Sequence, residues 1–187
     1  MRIVGGRLRG RTLAAPKSQA IRPTADRLRE SLFNILVHRY ADPVTGALVL
    51  DLFAGTGALG LEALSRGATF ALFIDNAAEA RALMRENVAA LGVGGAGRIF
   101  RRDATRLGEA RGLGPFSLVF LDPPYGRGLA EQALASALAG GWIAPNALVV
   151  VEEAMKAAFA APEGFDALER RGFDDTELSI LRRPSVA

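Results

Sequence analysis

The chain has 187 residues, half of them hydrophobic, so it can bury the core of one domain and is too apolar to be disordered. It has no cysteine and a single histidine, His38, which excludes disulfides and thiolate zinc sites and argues against histidine-bound metals. No apolar stretch approaches the roughly 18 residues of a membrane span, and no signal peptide is recognisable. These features predict a cytoplasmic protein without a metal, and a monomer is the simplest expectation.

The charge is distributed unevenly along the chain. Residues 1–40 carry nine Lys or Arg against two Asp or Glu, a net +7, whereas residues 41–187 carry fourteen against eighteen, a net −4. These values add up to the overall charge of +3. A basic extension (1–40) on a mildly acidic body (41–187) predicts that the extension binds a polyanion.

The first elements belong to this extension. Residues 1–13 place two short strand-like stretches around a Gly/Arg turn, which predicts a β-hairpin. From Thr24 to Tyr40 apolar residues recur at helical spacing, which predicts an amphipathic helix. Thr24 is a suitable N-cap for it, and Asp26 would be favourable in its first turn.

From residue 47 onward, short apolar stretches alternate with helical patterns. This βαβ order predicts an α/β fold of the Rossmann-like, doubly wound type, with a mostly parallel sheet and helices on both faces. The predicted strands are 47–51, 70–75, 98–103, 117–122, 147–153, 166–173 and 176–183, and the predicted helices are 58–67, 77–92 and 128–141.

The stretch DLFAGTGALG predicts a ligand-binding loop after the first of these strands. It contains G-x-G-x-x-G at Gly55, Gly57 and Gly60, and Asp75 follows about 20 residues after the first glycine, as in dinucleotide-binding proteins. The glycines allow a ligand to approach the backbone closely. They do not by themselves distinguish a nicotinamide cofactor from another nucleotide-like ligand.

Carboxylates at the strand ends favour a cationic cofactor. Asp51 lies directly before the glycine turn, where a pyrophosphate would meet a repulsion of about 1–4 kcal/mol. S-adenosylmethionine carries an ammonium and a sulfonium group, so an acidic sheet edge suits it better. We expect Asp75 to accept hydrogen bonds from its ribose and Asp103 to face its adenine amine. The residues predicted to bind this cofactor are Asp51, Phe53, Ala54, Gly55, Gly57, Asp75, Asn76, Asp103 and Ala104.

The stretch LDPPYG supplies a second motif, Asp122-Pro123-Pro124-Tyr125, after the predicted strand SLVFL. Consecutive prolines hold an extended backbone without N–H groups, so the Pro123 carbonyl can point outward. With the Asp122 carboxylate it offers two acceptors to one planar amine, and Tyr125 offers a flat face to a base. We predict that Asp122, Pro123, Pro124 and Tyr125 form the catalytic motif.

Together these motifs resemble a known family. GGRLRGRTL, RPTADRLRESLFNIL, DLFAGTGALGLEALSRGA and DPPY are similar to the bacterial 16S ribosomal RNA (guanine(966)-N(2))-methyltransferase family. The resemblance implies a seven-stranded methyltransferase sheet, S-adenosylmethionine as cofactor and a guanine in a small-subunit rRNA loop as substrate. It implies a role in ribosome biogenesis, with the rRNA inside the small subunit or an assembly intermediate. By analogy, Arg22 and Thr24 would lie near the methionine end of the cofactor, although Thr24 is equally suited to cap its helix.

A base must leave its stack to be methylated, which costs a few kcal/mol, and stacking on one aromatic ring returns only about 1–3 kcal/mol. A loop base is easier to extrude than a duplex base, so an RNA loop is favoured over duplex DNA. Phosphate contacts from the extension are expected to contribute the remaining affinity. The residues predicted to bind RNA are Arg2, Arg7, Arg9, Arg11, Lys17 and Arg22.

Several alternatives stay open from the residues themselves. The amine could belong to adenine in RNA or DNA, or to a protein glutamine, because Pro-Pro-aromatic motifs serve all of these. A nicotinamide-dependent oxidoreductase and a non-catalytic RNA-binding module are more distant alternatives. No chemistry requires Glu152 or Glu153, which end a predicted strand, and Trp142 is expected to pack in the interior.

Overall fold

The computed structural model describes residues 1–16 and 23–185 and has one seven-stranded sheet at its centre. The strand order is β3-β2-β1-β4-β5-β7-β6, with β7 antiparallel to both of its neighbours and the other pairs parallel. This confirms the α/β, Rossmann-like prediction. The strands are β1 (Leu48–Leu52), β2 (Phe70–Ile74), β3 (Gly97–Phe100), β4 (Phe116–Leu121), β5 (Ile143–Ala154), β6 (Asp166–Phe173) and β7 (Thr176–Arg182).

Helices cover both faces of the sheet, because the inner strands are apolar on both sides. Three helices pack with one hydrophobic cluster, and the fourth packs with the other cluster beside Trp142, which is buried as expected. None of the helices in residues 1–16 and 23–185 has the length and apolar character needed to cross a membrane. The helices are α1 (Pro23–Arg39), α2 (Ala58–Ser65), α3 (Ala78–Leu91) and α4 (Leu129–Ala139).

Most predicted elements are confirmed within a few residues, with two differences that bear on the site. β3 ends at Phe100, so Asp103 lies in the following turn and not at the strand end. α1 begins at Pro23, a residue well suited to the first helical position, so Thr24 lies inside the first turn and not at the preceding cap position.

The predicted N-terminal hairpin was only partly right. Residues 1–13 do reverse direction, but a single antiparallel bridge joins Arg2 and Thr12, and one turn of 3₁₀ helix, Gly6–Leu8, occupies the bend. Side chains of the helices supply the missing partners. Glu62 accepts from the Val4 amide at 2.9 Å. Ser65 accepts from the Leu8 amide at 2.9 Å and donates to the Gly5 carbonyl at 2.6 Å.

The N-terminal segment is packed firmly on the body. Ile3, Leu8 and Leu13 are buried in the same hydrophobic cluster as the sheet. Further along, the Asn87 side chain accepts from the Ala14 amide at 2.7 Å and donates to the Ala14 carbonyl at 3.1 Å. Residues predicted to function but lying outside the described part of the chain are Lys17 and Arg22, and the Thr24 side chain is likewise not described.

Candidate active site

A cavity of about 670 Å³ lies at the carboxyl edge of β1, β2, β4 and β5. Its floor is the glycine-containing loop and the DPPY motif, and its walls include Met1, Pro16 and the α1 residues Leu28 and Leu32. The two motifs, separated by more than 60 residues of sequence, therefore line one cavity. The order of the strands produces this, because β1 lies between β2 and β4.

Asp51 anchors the glycine loop from below. Its Oδ2 accepts from the Gly60 amide at 2.9 Å, in the first turn of α2. The close packing at this point requires a glycine, since a Cβ on Gly60 would lie 2.4 Å from the Phe73 ring and 3.1 Å from Asp51 Oδ2. Burial raises the pKa of Asp51 to about 8, the Gly60 hydrogen bond opposes this rise, and the negative charge of Asp75 adds to it.

This pKa corrects the electrostatic argument made from the sequence. From the sequence alone, Asp51 is expected to carry a negative charge beside the ligand. The structure buries its side chain to 1% exposure, and a pKa of about 8 leaves most of the molecules protonated at neutral pH. Asp51 still lines the cavity, but it discriminates against a pyrophosphate less than a fixed charge would.

The glycine loop itself has an unusual backbone. Phe53, Gly55 and Gly57 have φ angles of 57°, 56° and 78°, and a left-handed conformation is uncommon for a non-glycine residue such as Phe53. Phe53, Ala54 and Gly55 line the cavity. Gly57 faces inward, where a Cβ would be 3.3 Å from both Met84 and the Phe73 ring. Gly57 is not among the residues that line the cavity, so the structure gives it a part in shaping the loop, and its contact with the cofactor stays a prediction.

Asp75 lies where a ribose-binding carboxylate is expected. It follows β2 and lines the cavity together with Asn76. Its Oδ2 accepts from the Gly55 amide at 3.0 Å and its Oδ1 from the Ala77 amide at 2.8 Å. These bonds fix the carboxylate against the glycine loop and leave it open to the cavity. Binding of a ribose by Asp75 and Asn76 stays a prediction.

Asp103 and Ala104 are not brought into the cavity wall. Asp103 caps a short 3₁₀ helix, and its Oδ1 accepts from the Thr105 amide at 2.9 Å and the Thr105 hydroxyl at 2.7 Å. These bonds, the hydroxyl first, lower the pKa of Asp103. Ala104 is buried in the second hydrophobic cluster. Their contact with a cofactor remains a prediction, and the local geometry alone explains a turn aspartate here.

The DPPY motif forms the other half of the floor, and all four of its residues line the cavity. Pro123 is buried, whereas Tyr125 is 43% exposed and presents an open ring. The turn after the motif is held by Glu153, whose Oε1 accepts from the Gly126 amide at 2.9 Å. Glu153 is 4% exposed, so it acts as an internal anchor for this loop.

Carboxylates crowd this half of the cavity. Asp122 is open to the cavity but otherwise surrounded by protein, which raises its pKa well above the ordinary value, and the charges of Glu152, Asp51 and Glu153 raise it further. Desolvation also raises the pKa of Glu152, opposed by its hydrogen bond from Tyr125 and by the charge of Arg29. The Tyr125 hydroxyl donates to Glu152 Oε1 at 2.8 Å, and burial with the neighbouring carboxylates raises the pKa of Tyr125.

Arg29 supplies a buried cation at the same cavity. Its side chain is 5% exposed, lines the cavity and donates to Asp26 Oδ1 at 2.8 Å and to the Arg2 carbonyl. Its Nε lies 3.5 Å from Glu62 Oε2. Arg29 thus joins the N-terminal segment to α1, α2 and the cavity.

Sequence reasoning missed the roles of Arg29, Glu152 and Glu153. Arg29 was counted among the cations of the basic extension, because its place next to Leu28 in the predicted helix gave no sign that it is buried. The pair Glu152-Glu153 follows the apolar stretch of β5 that pairs with β4, and charges in that position are a usable signal. The structure shows what they contact.

The family model described as "Conserved hypothetical protein 95" matches residues 1–182. The "Ribosomal RNA small subunit methyltransferase D" of Escherichia coli (strain K12) is 43% identical over 152 residues, covering 81% of this chain and 74% of that protein. The protein of the same name from Haemophilus influenzae is 35% identical over 173 residues, covering 91% and 88%. The solved "Putative methyltransferase yhhF from Escherichia coli" superposes with a TM-score of 0.84 at 33% identity, covering 100% and 99%.

These similarities agree with the cavity, in which a glycine loop after β1 and a DPPY motif after β4 meet. The resemblance to small-subunit rRNA methyltransferases, drawn from the sequence motifs, is confirmed at the level of the family. The chain belongs to the Conserved hypothetical protein 95 family, together with the ribosomal RNA small subunit methyltransferase D proteins that it resembles.

Proposed function

We propose that this protein transfers a methyl group from S-adenosylmethionine to the exocyclic amine of a guanine in a loop of small-subunit (16S) ribosomal RNA. The observation that carries the proposal is that the DPPY motif and the glycine loop line one cavity of about 670 Å³. One motif suits a planar amine, and the other suits a nucleoside-containing cofactor. The relatives named above are ribosomal RNA methyltransferases, which supports the substrate class.

The cofactor half of the cavity fits S-adenosylmethionine. Asp75 is held open to the cavity by two backbone amides, which suits the two hydroxyls of a ribose. Phe53, Ala54 and Gly55 would lie against the cofactor, and Asn76 would flank the ribose. Asp51 would lie beneath it, where a cationic ligand would favour the ionised carboxylate. When bound, the cofactor supplies an electrophilic methyl group on a sulfonium.

The DPPY motif would prepare the guanine amine. Its nitrogen lone pair is delocalised into the ring, which makes the amine a poor nucleophile. Asp122 and the Pro123 carbonyl would each accept one of its hydrogens, favouring a pyramidal nitrogen whose lone pair is aimed at the methyl group. Orientation of this kind contributes about 7–11 kcal/mol in favourable cases. Acceptor bonds that strengthen as the nitrogen becomes positive add to it. The proton can leave after transfer, so no strong base is required.

The exposed part of the N-terminal segment would hold the RNA. The side chains of Arg2, Arg7, Arg9 and Arg11 are exposed, which suits phosphate contacts. Residues 1–40 would thus serve as the RNA-binding extension, and residues 41–187 as the methyltransferase domain. Tyr125 would stack on the extruded base, offsetting part of the few kcal/mol that flipping requires. Lys17 and Arg22 belong to the same proposal.

The decisive experiment uses labelled S-adenosylmethionine and small ribosomal subunits from a strain that lacks the enzyme. After incubation the rRNA is digested and the labelled nucleoside identified. We expect label in N(2)-methylguanosine at one loop position. Label in methyladenosine would retain the amine chemistry and overturn the choice of base, and label in protein would point to a glutamine amide. Calorimetry with S-adenosylmethionine and NAD is the control, and preference for NAD would overturn the proposal.

A further inference from the structure

We infer that Glu152 determines which base is methylated, by accepting the N1–H of the target guanine while Asp122 accepts its amine. This inference rests on the proposed function, since it concerns the base in the same cavity. Glu152 would be a specificity-determining residue, distinct from the DPPY motif and contributed by the neighbouring strand.

The sheet places Glu152 beside Asp122. β4 and β5 are parallel, and the last residue of β4, Leu121, pairs with Val151, so the residues that follow these two, Asp122 and Glu152, come at the same level. Both side chains line the cavity, and the charge of Glu152 adds to the burial that raises the pKa of Asp122. Two acceptors at one level suit a ligand edge that has two neighbouring donors.

Tyr125 orients Glu152 toward that edge. The Tyr125 hydroxyl donates to Glu152 Oε1 at 2.8 Å, and this is the hydrogen bond found for the carboxylate within residues 1–16 and 23–185. Oε2 is therefore available to a ligand. Burial raises the pKa of Glu152, whereas the hydrogen bond from Tyr125 and the charge of the buried Arg29 favour its ionised carboxylate. Glu152 is half-buried, so a hydrogen bond made there is only partly screened by solvent.

The bases differ at the position that Oε2 would contact. Guanine presents N1–H directly beside its amine, so one edge offers donors to both Asp122 and Glu152. Adenine and 2-aminopurine have an unprotonated N1 next to the amine. A carboxylate facing that lone pair is repelled and left without a donor, and a site built to bond a donor strongly rejects an analogue lacking it. Glu152 therefore selects guanine.

The test uses small subunits reconstituted with either guanine or 2-aminopurine at the methylated position. Both bases have the 2-amine, but only guanine has N1–H. For the unmodified protein, we expect kcat/KM to be at least about tenfold higher with guanine. Glu152→Gln should lower kcat/KM for guanine by about tenfold or more and should shrink or reverse the preference, because the glutamine amide can donate to N1 of 2-aminopurine. Glu163→Gln, an exposed position, is the matched control and should leave both values unchanged.

The competing explanation is that Glu152 only holds the Tyr125 hydroxyl. In that case Glu152→Gln and Tyr125→Phe would lower kcat/KM by the same factor for both substrates. The base preference would then be intact, which would overturn the inference. Failure of the proposed function is seen separately, in the nucleoside labelled by the unmodified protein. If that nucleoside is N(2)-methylguanosine and the preference is unchanged in Glu152→Gln, only the inference about Glu152 is wrong.

Discussion

The carboxylates in the two halves of the cavity have different hydrogen-bond partners. In the half formed by β1 and β2, Asp51 and Asp75 accept hydrogen bonds from backbone amides of the glycine loop and the turn after β2. In the half formed by β4 and β5, Asp122 and Glu152 lie beside each other, and the Tyr125 hydroxyl donates to Glu152. Backbone amides hold the carboxylates of the first half, whereas for the side chains of Asp122 and Glu152 in the second half the hydrogen bond found among the described residues is the one from Tyr125 to Glu152.

The difference indicates which half is complete before a ligand arrives. A carboxylate bonded to backbone amides is fixed in position and shapes the loop around it. Neighbouring carboxylates without donors repel each other, and a ligand that brings N–H groups relieves this repulsion. We therefore expect changes in the first half to act on folding and cofactor affinity, and changes in the second to act on catalysis and choice of base.

The largest effect is expected for Asp122→Ala. Loss of the acceptor for the reacting amine should lower single-turnover methylation by about 100- to 1,000-fold, since the interaction strengthens in the transition state. Calorimetry should show S-adenosylmethionine affinity changed by less than about threefold, because Asp122 belongs to the base half. Asp122→Asn, which keeps one acceptor oxygen, should retain more activity. A large loss of cofactor affinity in Asp122→Ala would erase the distinction between the halves.

Gly60→Ala tests the first half through packing. An added Cβ would lie 2.4 Å from the Phe73 ring, so the ring or the loop must move. Overpacking of this kind lowers the free energy of unfolding by about 1–3 kcal/mol, and the displaced loop should bind S-adenosylmethionine less tightly. Urea denaturation and calorimetry measure the two effects. Gly95→Ala, where a Cβ meets nothing within 4 Å, is the matched control. Equal stability of both variants would contradict the role of Gly60.

The raised pKa of Asp51 makes the stability of the protein depend on pH. Its pKa is about 8 in the folded protein and near 3.8 when unfolded, so between these values the folded state holds a proton that the unfolded state has released. The free energy of unfolding therefore falls as pH rises through this window, by up to about 1.4 kcal/mol per pH unit from this group. Below this window Asp51 is protonated in both states and does not affect stability. Above it Asp51 is ionised in both states, so its cost to the folded protein no longer changes with pH. Asp51→Asn keeps an oxygen for Gly60 and should flatten the pH dependence of urea denaturation; an unchanged slope would contradict the raised pKa.

Motifs and strand patterns made most of the architecture predictable. β6 coincides with its predicted range. The glycine loop and the DPPY motif were recognisable because their backbone conformations require glycines and prolines, which are visible in the sequence. Their meeting in one cavity followed from the general rule for the carboxyl edge of a doubly wound sheet.

Features that depend on tertiary contacts were not predictable. The raised pKa of Asp51 results from burial, and the place of Glu152 next to Asp122 and Tyr125 results from the register of β4 against β5. The N-terminal hairpin has one bridge instead of two strands because side chains such as Glu62 and Ser65 bind its backbone. Such partners are distant in sequence.

The smallest predicted effect concerns the exposed arginines, which lie outside both halves. Replacing Arg7, Arg9 and Arg11 by Ala should weaken RNA binding by about tenfold at moderate salt and reduce the slope of log K against log salt by up to about 2, if each contacts one phosphate of a single strand. Cofactor affinity and base preference should be unchanged, because none of the three lines the cavity. Replacing three other exposed arginines, Arg98, Arg101 and Arg111, removes the same charge elsewhere and is the control. If both triple variants change the salt slope equally, net charge is what attracts the RNA, and the N-terminal segment has no specific contact with phosphates.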